Sequence, residues 1–395
     1  MPRNVIFLVH GMGRHPEGWA GADDGPAAAL VGAAKAYPGF ADNDPLTNAV
    51  EFVEIAYDDL FDRIVNQWQS LAADLGQVSA FAPAELNAVT EAIAGLDPAD
   101  NWFASHAMDV VLYRGFAAVR RIVQLRVALQ IMRTIAERGT AGRRYGVIAH
   151  SLGTTVAHDA LHRLTQAKWF QPAQRELLSA VSGSTAAELE EDIGRYRERY
   201  NANPFGVGTL EFSAIVMLAN TSRLLHDRNV PDPAKSNVRP PLAEPDPQRY
   251  ICRRFVSVQH VLDPVGQVEP FRSEAEWPAA AARGLTRDVW GLKHVHDLNV
   301  HGFCHYLSHP LVHREILVRL APERFDGASY QFAARRLAPD GDFPQWGERY
   351  RNEDRQDEIL AALSRLGTSS RVRDLVEVYT VLESIVAELR GQEDA

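Results

Sequence analysis

The chain has 395 residues, 46% of them hydrophobic and 23% charged, which suits one large core with additions and excludes disorder as the ground state. Its formal net charge is -10 and it carries no Lys/Arg-rich stripe able to neutralise a phosphate backbone, so nucleic acid is not an expected partner. The two cysteines, Cys252 and Cys304, are too few for a disulfide framework and suit a reducing compartment, giving the expectation of a cytoplasmic protein.

In chain order, the opening MPRNVIFLVHG lacks a small-residue cleavage site and reads as a strand rather than a signal peptide. No apolar run approaches the ~20 residues needed to cross a bilayer, so no transmembrane segment is expected. Val5 to Val9 is continuously apolar and ends at His10-Gly11-Met12-Gly13, the pattern of a strand buried on both faces of a parallel sheet. Val50 to Tyr57 reads as the next strand, and the Gly/Pro/Asp-rich and Ala-rich stretch before it supplies a loop and crossover helix.

A helical insertion is expected over about 59–138, its longest piece running from Asp109 to Glu137. Asp58, Asp59 and Asp62 would complement the dipole at its start, and Trp68, Trp102 and Phe103 read as packing residues. Tyr145 to Ala149 is a β-branched run leading into His150-Ser151-Leu152-Gly153 and the helical TTVAHDALHRL. A second insertion covers about 165–210, with the charge run AELEEDIGRYRERY as a solvated face. Phe212 to Leu218 and Phe255 to Val261 are further strands, separated by a Pro-rich loop from Pro231 to Pro247, and Val295 to Val300 is the last. The expected architecture is therefore α/β: a mostly parallel sheet with helices on both faces over 1–321, and a helical C-terminal extension over 322–395. A helix from about Arg371 to Arg390 would pack on the domain or on a second copy, making a homo-oligomer through these helices a candidate assembly.

The strongest chemical signal is Ala149-His150-Ser151-Leu152-Gly153 between a strand and a helix. A nucleophilic serine needs its Oγ lifted clear of the sheet on a strained turn, and small residues two before and two after let strand and helix pass closely. Ala149 takes the place of the first glycine of that pattern. The competing reading is an ordinary serine N-cap. His10-Gly11-Met12-Gly13 after the first strand argues against it, because acyl transfer develops negative charge on a carbonyl oxygen and needs two main-chain donors, each worth ~3 kcal/mol. The N–H groups of Met12 and Leu152 are assigned to that task, with His10, Gly11, Gly13 and Gly153 shaping the supporting turns.

A serine nucleophile also needs a base and an acid to orient it. Asp263, in Val-Leu-Asp-Pro-Val-Gly after the predicted strand FVSVQHV, stands in the right loop for the acid; turn initiation by Asp-Pro is the alternative. The base is assigned to His301, at the end of the last expected strand, with His305 as the alternative, in a stretch that also holds His294, His296, His309 and His313. His309 and His313 are four apart, a spacing that can ligate metal, but read as solvated helix residues because no third ligand accompanies them. His150 reads as a packing residue pointing away from the turn. No metal or cofactor is expected.

VIFLVHGMGRHPEGW, AHSLGTTVAHDAL, VLDPVG and HGFCHYLSHPLV together resemble the α/β-hydrolase superfamily, specifically its lipase-like serine esterases. The resemblance covers roughly residues 4–57 and 143–320 and leaves out the insertions and the tail. It implies a Ser-His-Asp triad carried onto Ser151, His301 or His305, and Asp263, acting on an ester, thioester or amide; a carboxylic ester of a small or lipid-like acyl group is the expected substrate. Amidase, thioesterase or acyltransferase chemistry on the same fold, and a non-catalytic binding protein, are the alternatives.

Overall fold

A computed structural model describes residues 3–40, 45–64, 109–110, 112–113, 117–164, 178–179, 185, 187–192, 212–225, 252–267, 270–292 and 299–325. Its centre is a six-stranded, all-parallel sheet: β1 (Asn4–Val9), β2 (Val50–Ile55), β3 (Tyr145–His150), β4 (Phe212–Leu218), β5 (Phe255–His260) and β6 (Thr286–Leu292), in the order β2-β1-β3-β4-β5-β6. Chain and sheet part company once, at β1. The chain goes outward from it to β2, then returns to the other side for β3. Such a reversal opens a crevice at the carboxyl ends of β1 and β3, where α/β sheets bind their ligands.

Strand alternation explains why the central strands are continuously apolar. Val5, Phe7 and Val9 enter one core while Ile6 and Leu8 enter the other, as a two-residue period requires of a sheet covered on both faces. The first core is closed by α2 (Ala117–Arg138) and α3 (Leu152–Leu164), through Ile122, Leu125, Leu129, Val156, Ala160 and their neighbours. The second is closed by α1 (Pro26–Ala34), α4 (Phe303–Ser308) and α5 (Pro310–Leu320), through Leu30, Tyr306, Ile316 and Leu317. Cys252 and Cys304 are both free thiols. No helix among the described residues is long and apolar enough to cross a membrane.

One expectation changes here. Among the described residues the last strand is Thr286–Leu292; of the expected Val295 to Val300, residues 295–298 lie outside the described residues and 299–300 are not strand. The reason is positional. An edge strand has one neighbour and needs no continuous apolar run, so TRDVWGL, half exposed and carrying Arg287 and Asp288, escapes a search for hydrophobic runs. In the first insertion, a long helix is described over Ala117–Arg138, and residues 109–110 and 112–113 are helical as well. Trp68, Trp102, Phe103, the Pro-rich loop, most of the second insertion and everything after 325 fall outside the described residues, as does the surface suggested for a homo-oligomer.

One charge cluster locks the α4–α5 pair to the sheet. Glu315 of α5 is 5% exposed and accepts from Arg254 Nε at 3.1 Å, Arg287 Nη1 at 3.1 Å and Arg319 Nε at 3.4 Å. Burial pushes its carboxyl up, but Arg254, Arg319 and Arg287 outweigh this and hold it below the ordinary glutamate value. A depressed folded pKa contributes stability that is complete above the unfolded pKa, about 4.3, and is lost as pH falls through the folded one. Glu315→Gln is therefore expected to lower stability by about 2 kcal/mol at neutral pH, with the gap to the parent narrowing below ~pH 4. Urea unfolding at several pH values measures this; a gap unchanged at pH 3 would assign the effect to packing.

Candidate active site

The turn from β3 into α3 puts Ser151 at φ 52, a left-handed conformation that costs a residue with a Cβ about 1–3 kcal/mol. Several bonds hold it there. Ser151 N–H donates to the Leu218 carbonyl at 3.0 Å. The Ser151 carbonyl accepts from Thr154 N at 2.9 Å, Thr154 Oγ1 at 2.7 Å and Thr221 Oγ1 at 2.8 Å. Ala149 is fully buried, its methyl part of the first core.

Gly153 must be glycine. A Cβ there would lie 2.0 Å from the His10 carbonyl oxygen and 2.8 Å from that of Val9, so the start of α3 touches the backbone end of β1. Gly153→Ala is expected to cost about 3 kcal/mol by forcing main chain apart. Denaturant unfolding of that variant would show it, and parent-like stability would refute the close approach. A Cβ on Gly11 would come within 2.9 Å of Ser151 Cβ, so the turn carrying Met12 abuts the serine. Leu152 is the first residue of α3, where helical N–H groups have no acceptor within the helix.

Three side chains from separate loops meet at this turn. His301 Nε2 lies 2.9 Å from Ser151 Oγ, and His301 Nδ1 lies 3.0 and 2.9 Å from the two oxygens of Asp263. A carboxylate only accepts, so Nδ1 carries the proton and Nε2 presents its lone pair to the serine hydroxyl. Asp263 is fully buried and also accepts from Val265 N at 3.0 Å, Gly266 N at 3.4 Å and the Tyr306 hydroxyl. Burial works to raise its pKa, but His301 and the donated hydrogen bonds, Tyr306 included, outweigh it and keep the carboxyl below the usual aspartate value. The His301 side chain is 25% exposed while Ser151 as a residue is 2% exposed, so the site opens on the imidazole side.

His305, the other candidate base, is 2% exposed, and its ring packs edge-on against His260 at 5.2 Å; the bonds to Ser151 and Asp263 are those of His301. His150 does more than pack. Its Nε2 donates to the His301 carbonyl and its ring stacks on Phe303 at 5.1 Å, which fixes the backbone carrying His301. Burial, with His301 nearby, lowers the His150 pKa to about 3, so it stays neutral. His309 and His313 are not solvated helix residues. His309 caps α5, accepting from Leu311 N at 3.2 Å, and His313 is buried against the Tyr37 hydroxyl at 2.7 Å. Burial lowers their pKa values to about 4 and about 3. His294 and His296 fall outside the described residues.

The turn after β1 is held by residues that no local motif announces. The Tyr57 hydroxyl donates to the His10 carbonyl at 2.7 Å and the Gly11 carbonyl at 3.1 Å, and Gly13 N–H donates to Asp109 Oδ2 at 2.8 Å. Burial raises the Asp109 pKa to about 8, against the opposing pull of the Gly13 N–H. Asp58 does not simply charge the helix that follows it: its Oδ2 reaches back to the His15 N–H at 2.6 Å. Among the described residues, His10, His15 and Asp58 form a group with metal-ligand spacing. Chemically, Ser151, His301 and Asp263 can deprotonate an alcohol as it attacks a carbonyl. Scans against family models, curated proteins and solved structures return no match to this chain.

Proposed function

We propose that the chain is a serine hydrolase of the α/β-hydrolase type that cleaves a carboxylic ester of a small or lipid-like acyl group. The observation that carries this reading is the continuous relay Ser151 Oγ, His301 Nε2, His301 Nδ1 and Asp263, at 2.9 Å and at 2.9–3.0 Å. Its setting supports it: a strained serine between strand and helix, an acid after β5, a base after β6, and all of it at the reversal point of a parallel sheet.

In the mechanism, Ser151 Oγ attacks the ester carbonyl carbon as its proton passes to His301 Nε2. Asp263 stays ionised, holds the imidazole by Nδ1 and stabilises the imidazolium. The carbonyl oxygen, now an anion, takes hydrogen bonds from the main-chain N–H groups of Met12 and Leu152, the second sharpened by the N-terminus of α3. Collapse breaks the bond to the leaving alkoxide, which takes the proton from His301. Water then attacks the acyl-enzyme, again deprotonated by His301, and releases the acid and the free serine. The cysteine usage, two thiols and both free, supports a cytoplasmic setting.

An alkyl fluorophosphonate, which phosphonylates only an activated serine, tests the reading. One adduct per folded chain on Ser151, identified by peptide mass, is the expected result; unlabelled folded protein overturns it. Matched ester, thioester and amide substrates then distinguish the leaving group, with the ester expected to turn over fastest.

A further inference from the structure

Next to the serine, on the far side of the β1 turn, lies a second polar group that the hydrolytic relay does not use. His10 is fully buried between two rings, with His15 at 4.0 Å and Tyr57 at 4.2 Å between centroids. Its Nδ1 lies 2.8 Å from the Gly11 carbonyl oxygen, and His15 Nδ1 lies 2.9 Å from that of Gly13. A carbonyl oxygen only accepts, so each Nδ1 must carry the proton and each Nε2 must carry a bare lone pair. The buried Nε2 of His10 has no hydrogen-bond partner, yet it sits 3.7 Å from Asp58 Oδ1. Two acceptors that face each other without a shared proton repel. A buried acceptor left in this state is costly, and a cation between the two resolves it.

We propose that His10, His15 and Asp58 form a binding site for one divalent transition cation, Zn2+ or a close analogue, which ties the turn after β1 to the end of β2. One ligand atom from each residue lies within 4.8 Å of the others. Bond lengths of about 2.0–2.2 Å to nitrogen and oxygen place the ligand atoms of such an ion ~3.3 Å apart, so the group closes by small movements. Most of that movement falls to His15, which is half-buried at the loop surface and stacked on His10 with planes 22° apart; a cation draws its Nε2 round toward the carboxylate. The support around the ligands is the kind metal sites use. Ligating imidazoles donate their other ring N–H to a carbonyl or carboxylate, and here both do. Asp58 is held by the main-chain N–H of His15, so carboxylate and imidazole are already tethered to each other. Two imidazoles and one carboxylate favour zinc, cobalt or nickel over magnesium or calcium. Three protein ligands leave at least one position for water.

This site adjoins the serine but does not need the hydrolase reading. The bound ion would stiffen the turn that carries Met12, whose neighbour Gly11 packs on Ser151. The test uses the full chain, stripped with chelator and titrated with ZnCl2, and separately with CoCl2, by calorimetry and by visible absorption. The expected result is one zinc per chain, a cobalt absorption band of a low-symmetry nitrogen–oxygen site, and a Tm raised by roughly 3 °C at ~100-fold excess over the dissociation constant. Trp19 lies 5.5 Å from the His10 ring and 5.3 Å from the His15 ring, so its fluorescence should change with saturation. His15→Ala and Asp58→Asn should each weaken binding at least ~100-fold while matching the circular dichroism of the parent; His15 lies on a loop, which makes its variant the safer for folding. Binding as tight in both variants as in the parent, or no stoichiometric binding by the parent, overturns the proposal. Fluorophosphonate labelling of the metal-free chain is read separately, so failure of one reading is not mistaken for failure of the other.

Discussion

Ser151→Ala should lower kcat/KM for an ester substrate by about a million-fold and abolish fluorophosphonate labelling while leaving the fold intact. The size follows from the relay. With Oγ gone, His301 Nε2 has no hydroxyl to deprotonate, and water must be positioned without the strained turn that presents the serine. The fold should tolerate the change because the bonds that hold the turn run through the Ser151 main chain, to Leu218, Thr154 and Thr221. Turnover and near-native thermal unfolding measured side by side check both halves. Ester hydrolysis persisting within tenfold of the parent would remove Ser151 as nucleophile.

The second large effect concerns Asp263. Asp263→Asn should reduce kcat by about ten-thousand-fold with little change in KM, because an amide can donate to Nδ1 and so favours the imidazole tautomer with its proton on Nε2. That places a hydrogen where Ser151 needs a lone pair. Tyr306→Phe supplies a milder comparison. It deletes one donor to the carboxylate, leaves the His301 bonds in place, and is expected to cost about 10-fold to 100-fold in kcat, by analogy with the loss of a supporting hydrogen bond around a reactive group. Equal losses in the two variants would mean that Asp263 acts only as a structural anchor.

The sequence exposes what is local and hides what is assembled across the sheet. The serine turn is legible because its requirements fall within five consecutive residues: small Ala149 and Gly153 around Ser151 let β3 and α3 pass β1. The core strands are legible because both their faces are buried, so each is written as an unbroken apolar run. By the same logic β6 was not, since an edge strand with Arg287 and Asp288 leaves no such run. Asp109 reaches Gly13 across 96 positions and Asp58 reaches His15 across 43, distances over which no spacing rule operates. From sequence His150 reads as a packing residue because the group it holds, the main-chain carbonyl of His301, lies 151 positions away. Choosing between His301 and His305 required knowing which way α4 begins, because His305 lies inside that helix and His301 just before it.

The placement of β1 between β2 and β3 has a consequence for biogenesis. Asn4 accepts a hydrogen bond from Arg144, 140 positions further on, so the most apolar strand emerges early and waits with an open flank until β3 has been synthesised. Long-range parallel pairing of this kind is slow and leaves sticky intermediates. Production of the protein should therefore favour slow synthesis, low temperature and dilute refolding, and a variant that delays docking of β3 is expected to aggregate more than the parent.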